Sequence, residues 1–153
     1  MADSIGVRIS PDGAGNKLRG MLNRAGLVRG WLNRVAYPLI IEAQRIRWAS
    51  EGASEGGSWP ALNPAYAIYK LKKFAGYPGG GRKMLIATGR LVDSVTGDNT
   101  KEHYKLVEDK RLSVGTMVGY AKYVDEARPI TKLSSATIQV LKRSLNQYLK
   151  GEE

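Results

Sequence analysis

The chain of 153 residues contains no cysteine and one histidine, His103. The first absence excludes a disulfide framework, a thiolate metal site and a cysteine nucleophile, and the second leaves histidine-based zinc sites and catalytic triads short of members. No apolar run approaches the ~20 residues of a membrane span, and the opening Met-Ala-Asp-Ser-Ile lacks the basic-then-apolar signature of a secretory leader. The expectation is a protein made in a cytosol-like compartment, with no membrane partner, no cofactor and no metal. Acidic residues are also scarce, 14 against 24 Lys plus Arg, for a net charge of +10. Such a balance attracts DNA or an acidic protein surface without choosing between them. The hydrophobic share is 42% and the charged share 25%, enough apolar material to offset chain entropy. The length suits a single domain over residues 1–153.

Between residues 17 and 49, Leu18, Met21, Ala25, Val28, Leu32, Val35, Leu39, Ala43 and Ile46 recur at spacings of three and four. That is the buried stripe of an amphipathic helix. Gly26 and Gly30 each cost about 1 kcal/mol relative to Ala inside a helix, and Pro38 lacks a backbone donor, which predicts two helices or a kink. Arg19, Arg24, Arg29, Arg34, Arg45 and Arg47 scatter around the rest of the wheel. Scatter fits a solvated or partner-facing surface better than a face that tracks DNA. Arg19, Arg24, Arg34, Arg45 and Arg47 are the partner-facing candidates.

Residues 51–83 are punctuated by Gly52, Gly56, Gly57, Gly76, Gly79, Gly80 and Gly81 with Pro60, Pro64 and Pro78, which reads as loop. Trp59, Tyr66, Tyr69, Phe74 and Tyr77 lie in the same stretch, and so many aromatics argue against disorder. Asn63 as N-cap, Pro64 at the first helical position and Lys70, Lys72 and Lys73 near the negative end of the dipole predict a short helix in the middle. Two coverings for the aromatics remain open on composition: their own domain, or a neighbouring subunit gripped by a projecting arm.

Further on, Leu91–Val95, Tyr104–Val107 and Leu112–Val114 are short β-prone runs separated by turn residues, which predicts an antiparallel meander entered through Gly89. Residues 119–127 suit a short helix with Tyr120, Tyr123 and Val124 on one face, interrupted by Arg128-Pro129. Ser134 or Ser135 can cap a last helix with Ile138, Leu141, Leu145 and Tyr148 or Leu149 inward. The fold class is therefore α+β: N-terminal amphipathic helices, a small antiparallel sheet with helices on one face, a long extended aromatic arm and a C-terminal helix.

Little in the chain suggests catalysis. His103 lies in a polar Thr-Lys-Glu-His-Tyr-Lys context, read as an exposed edge or turn. Glu108-Asp109 and Asp125-Glu126 are sequence neighbours whose side chains diverge, so neither is an acid/base pair. Gly79-Gly80-Gly81-Arg82-Lys83-Met84 lacks the spacing and the metal-ligating hydroxyl of a P-loop, which leaves a flexible hinge or a backbone nest for an anion. No enzyme activity is assigned.

Several segments resemble a known family when taken in order. They are Gly57-Ser58-Trp59-Pro60-Ala61-Leu62 with Tyr66 and Lys70, Met84 to Val95 with Thr88-Gly89-Arg90-Leu91 inside it, Val114-Gly115-Thr116, Tyr120-Ala121-Lys122-Tyr123-Val124 and Arg128-Pro129. The chain thereby resembles the bacteriophage virion morphogenesis family of tail-completion or head–tail joining proteins, the group of the phage Mu G protein, over roughly residues 17–148. The resemblance implies a structural virion protein without an active site, forming a ring, commonly a hexamer, at the neck where tail meets head. Its partners would be copies of itself and other neck and tail proteins, with genomic DNA passing through the lumen. A ring closes by head-to-tail contacts between two different patches. On that reading Trp59, Leu62, Tyr66, Tyr69, Phe74 and Tyr77 are subunit-interface candidates, with Trp59 an anchor inserted into a neighbour. A tail terminator capping the tube, and a basic DNA-binding module, are the alternatives.

Overall fold

A helical rod made of α1 (Ala25–Trp31), a single π-helical turn (Leu32–Ala36) and α2 (Tyr37–Ala49) forms the spine of the α+β fold. The structure, a computed structural model, describes residues 25–55 and 57–150. Leu18, Met21, Arg19 and Arg24 lie outside the described residues. The kink expected at Pro38 takes the form of the wide turn just before it, where the Tyr37 N–H donates to the Leu32 carbonyl five residues back. A proline ring clashes with the carbonyl four residues earlier, and one inserted residue relieves that clash without ending the helix.

The insertion moves the buried stripe forward by one residue. The predicted positions Val28 and Leu32 are buried; from Ala36 on the fully buried residues are Ala36, Ile40, Ile41, Gln44, Arg47 and Trp48, while the predicted Val35, Leu39 and Ala43 are only partly buried against the same core and Ile46 is exposed. Ile40 is 1% exposed and Ile46 is 51% exposed. A straight-helix periodicity cannot register such a shift.

A second departure concerns Leu91–Val95, which is not a strand. Residues Arg90–Thr96 form helix α4, bracketed by Gly89 and Gly97, both with left-handed backbone. Leu91, Ser94 and Val95 share its inner face, and Ser94 Oγ bonds both the Leu91 carbonyl (2.7 Å) and Thr116 Oγ1 (2.7 Å). The β-branched residues that suggested a strand are here held helical by burial of that face, which outweighs a weak local preference. Gly89 therefore opens a helix, and the predicted meander reduces to one hairpin. Its strands β1 (His103–Val107) and β2 (Leu112–Thr116) pair antiparallel with His103 opposite Thr116 and Val107 opposite Leu112.

The remaining helices agree with expectation. Asn63 Oδ1 accepts from the Ala65 N–H (2.9 Å) at the start of α3 (Pro64–Lys73). Helix α5 spans Ala121–Ala127, and Ser134 Oγ accepts from the Thr137 N–H at the head of α6 (Ser135–Lys150). No described helix is long and apolar enough to cross a membrane.

Two apolar clusters hold these elements. In the first, Val28, Trp31, Leu32, Ala36, Ile40 and Ile41 pack on Leu112 and Val114 of one face of β2 and on Leu141, Leu145 and Leu149 of α6. In the second, Trp48 and Trp59 pack with Ile86, Leu91, Val95, Val118, Ala121 and Ile130. The one-residue shift predicts that Ile40→Ala lowers the unfolding free energy by about 2–5 kcal/mol, while Ile46→Ala stays within about 0.5 kcal/mol of wild type. Urea unfolding followed by circular dichroism measures both; equal losses would place the stripe where a straight helix puts it.

Candidate interaction surface

The glycine-rich stretch before α3 does not project freely from its base. Trp59 is 4% exposed and meets Trp48 edge to face, ring centroids 5.2 Å apart. Its indole Nε1 donates to the Pro129 carbonyl (3.3 Å). Gly52, with positive φ, allows this contact, since a Cβ there would lie 2.7 Å from the indole ring. Trp59 is thus a core residue of its own chain and not an anchor offered to a neighbour, a correction set by the reach of the turn at Glu51 and Gly52 that folds the chain back onto α2.

The same turn brings together two of the dipeptides on which the resemblance rests. Trp59 donates to the Pro129 carbonyl, and Arg128 donates through Nε (3.1 Å) and Nη2 (2.9 Å) to the Pro60 carbonyl. Trp59-Pro60 and Arg128-Pro129 therefore clasp each other reciprocally. Arg47 joins them, donating through Nε (2.8 Å) and Nη2 to the Pro129 carbonyl. Arg47 is 3% exposed, so it serves the core and faces no partner. Sequence placed it outside because the straight-helix wheel did.

The other basic candidates divide. Arg45 is exposed and paired with Asp98 (3.0 Å), and Arg34 is exposed on the π turn. Thr96 Oγ1, at 2.7 Å, and Arg45 together hold the Asp98 carboxyl below its ordinary value. His103 is half-buried at the start of β1, not on an exposed turn. Its Nδ1 lies 2.7 Å from the Ser94 carbonyl, which as an acceptor requires a proton on that nitrogen, leaving Nε2 to accept from the Tyr37 hydroxyl (3.1 Å). Burial pushes the Tyr37 phenol up. This network ties β1 to α2 and α4, which gives the histidine a structural task.

Beyond Pro60 the stretch opens to solvent. Helix α3 is fixed by Lys70, buried, whose ammonium donates to the Lys83 carbonyl; burial pushes that amine down. The Gly79-Gly80-Gly81 segment is a packed turn, not a hinge, because Gly80 is buried and a Cβ there would sit 2.2 Å from the Ala87 carbonyl. The side opposite Lys70, with Ile68 (59% exposed) and Lys72, has no cover among the described residues; Tyr69 and Leu71 on its two flanks, Tyr66 on the Lys70 side and Tyr77 beyond the helix are each about half exposed. Leu62 and Phe74 are partly buried at either end of the helix.

Beside α3 lies an open groove of about 260 Å³ whose walls include Leu62, Tyr66, Leu85, Arg90, Leu91 and Tyr120. Its volume falls below the range of small-molecule pockets, so it suits an inserted side chain. Leu85 stands in it with φ of 60°, a left-handed backbone. On the rim, Arg90 Nε donates to both Glu102 carboxylate oxygens (2.9 and 2.8 Å), which holds the Glu102 carboxyl below its ordinary value. The groove gathers three of the segments quoted for the resemblance: Leu62, Tyr66 and Lys70 from the first, Leu85 with residues 87–91 from the second, and Tyr120 with Val124 from another.

Of the six aromatic-arm candidates, the structure exposes Tyr66, Tyr69 and Tyr77, half-covers Leu62 and Phe74, and buries Trp59. Sequence reasoning missed Ile68, Leu71, Leu85 and Tyr120. A signal existed for Ile68, which shares with Tyr69 and Lys72 the helix face opposite buried Lys70. No protein-family model, curated protein or solved structure matches the chain.

Two outcomes follow from this geometry. Trp59→Ala lowers stability by about 3–5 kcal/mol, as expected for a core indole, read by urea unfolding, whereas a fully stable, folded variant would return Trp59 to the surface. Asp98, whose carboxyl is depressed in the folded state, contributes stability above the ordinary carboxylate range near pH ~4 and loses it as pH falls through that range. Asp98→Asn is therefore less stable than wild type near neutrality, and the gap closes on acidification in melting-temperature measurements; a gap constant with pH overturns the pairing.

Proposed function

We propose that the chain is a structural protein of a bacteriophage virion, acting in tail completion or head–tail joining as a member of a ring. The observation that carries this reading is the uncovered apolar face of α3 beside a side-chain-sized groove. Residues of the segments on which the resemblance to the tail-completion family rests frame that groove. Exposed Ile, Leu and Tyr side chains clustered on one helix mark an interaction surface, and the groove supplies a central pocket of the kind that anchors interfaces. The proposal gives Tyr66, Tyr69 and Tyr77 the roles of contact residues and withdraws Trp59 and Arg47 from the interface. For the alternative of a DNA-binding module, Arg34 is exposed, whereas Arg45 is tied to Asp98 and Arg47 to the Pro129 carbonyl.

Deletion of the gene from its phage is expected to leave filled heads and complete tubes that fail to join, visible by negative-stain microscopy and restored by the wild-type chain supplied in trans. Joined, infectious particles lacking the chain would overturn the assignment. Native mass spectrometry of the purified protein tests the ring separately, through a closed oligomer of discrete copy number.

A further inference from the structure

Exposed cations without a carboxylate partner among the described residues lie at several places in the fold: Arg34 on the π turn, Lys72 and Arg82 around α3, Lys132 before α6, and Lys142 and Arg143 on it. Charge alone therefore selects no face; the side chains beside each cation do. Lys72 lies among Ile68, Tyr69 and Leu71, whereas the neighbours of Lys142 and Arg143 are carboxamides.

Helix α6 turns Leu141, Leu145 and Leu149 to the core. At ~100° per residue, Gln139, Arg143 and Asn146 fall on the opposite side with Lys142 and Gln147 flanking them, and all five are exposed. The sequence has no acidic residue between Glu126 and Glu152, so the helix has none. A merely solvated helix face ordinarily mixes both signs, because glutamate four residues before lysine stabilises it and acidic side chains suit the first turn. The first helix continues this surface. No acidic residue occurs between Asp12 and Glu42, Trp31 Nε1 of α1 donates to Ser144 Oγ of α6 (3.2 Å), and a Cβ on Gly30 would lie 3.3 Å from Arg34 Nη2 and 3.4 Å from the Tyr148 hydroxyl. Arg34 is thus held beside Tyr148, on the flank of α6 away from Lys142. Among the described residues the carboxylate paired with these helices is Asp109, 3.9 Å from Arg29.

A protein partner would find no apolar centre here to bury, since Val140 stands at the margin of the face, and protein interfaces draw on a buried aromatic or aliphatic core. Duplex DNA needs none. Guanidinium and ammonium groups bond phosphates, and arginine, asparagine and glutamine bond base edges in the major groove. From Gln139 to Asn146 the helix rises ~10 Å, about three base pairs at ~3.4 Å each. The major groove of B-DNA is wide enough for a helix, whereas that of duplex RNA is too narrow. The net charge of +10 adds long-range attraction wherever the remaining cations lie.

We infer that α6 binds duplex DNA, with Gln139, Arg143 and Asn146 in the major groove and Lys142 and Arg34 on the phosphates at its two sides. The assembly reading enters only in making that duplex the phage genome; the contact itself stands on α6 and Arg34.

Fluorescence anisotropy with a short labelled DNA duplex of mixed sequence tests the site over a range of salt. The duplex is expected to bind, with the logarithm of affinity falling linearly in the logarithm of salt. Lys142→Ala with Arg143→Ala should weaken binding about tenfold and make that slope shallower by about two. Gln139→Ala with Asn146→Ala should weaken binding at an unchanged slope, and Lys72→Ala with Arg82→Ala at α3 should bind as wild type. These positions are exposed, so circular dichroism should show an unchanged fold, and a variant that unfolds is replaced by Lys142→Gln with Arg143→Gln. No binding at low salt overturns the inference, as do an equal loss in the α3 variant, equal binding of duplex RNA, or tighter binding of polyglutamate. A closed ring that ignores the duplex sinks the inference and leaves the ring reading standing. Binding through α6 by a protein whose phage joins heads to tails without it upholds the inference and removes the assembly role.

Discussion

The carbonyl oxygen of Pro129 is the constraint around which the second half of this fold is organised. It accepts from Arg47 at the end of α2 and from Trp59 at the base of the glycine-rich stretch, while the backbone just beyond it is held by Asp125 Oδ1, which accepts from the Ile130 N–H at 2.7 Å. A guanidinium taken out of water is costly unless its donors are used, and a carbonyl beside a proline has no strand or helix partner of its own. Each group answers the other's deficit. Because Arg128 reaches back to the Pro60 carbonyl, the two proline-containing turns are locked face to face, and α3 leaves the body of the protein in a fixed direction. The apolar face presented by that helix is thus a consequence of a hydrogen-bonded knot in which Arg47 and Trp59 are buried and Arg128 closes the outer side.

How much of this was visible in the sequence depends on whether the signal was local. Asn63-Pro64 and Ser134 announced their helices because capping involves only the next two or three residues, and both caps are present. The hairpin was legible from β-prone runs around a polar turn. Leu91–Val95 was misread because its local preference points to a strand, whereas its inner face is buried on distant residues and Ser94 reaches Thr116, 22 residues away. The stripe of α2 was displaced because a wide turn leaves no compositional mark beyond Pro38. For the candidate surface, the aromatic cluster was legible, but which members face outward was not. Trp59 and Tyr69 look alike in sequence, and only the turn at Gly52 and the distant Pro129 distinguish them.

The wide turn at Leu32–Ala36 also bears on how chains of this kind should be compared. An alignment that runs gap-free through the rod would match Ile46 of this protein with positions that are interior in a relative lacking the extra residue, and would score true counterparts as mismatches. Loss of one amino acid there would rotate everything from Tyr37 to Ala49 by about 100° and carry Arg47 off its carbonyl. An indel at this place is therefore conservative in length and radical in wiring, and similarity on either side of it is best measured in two separate pieces.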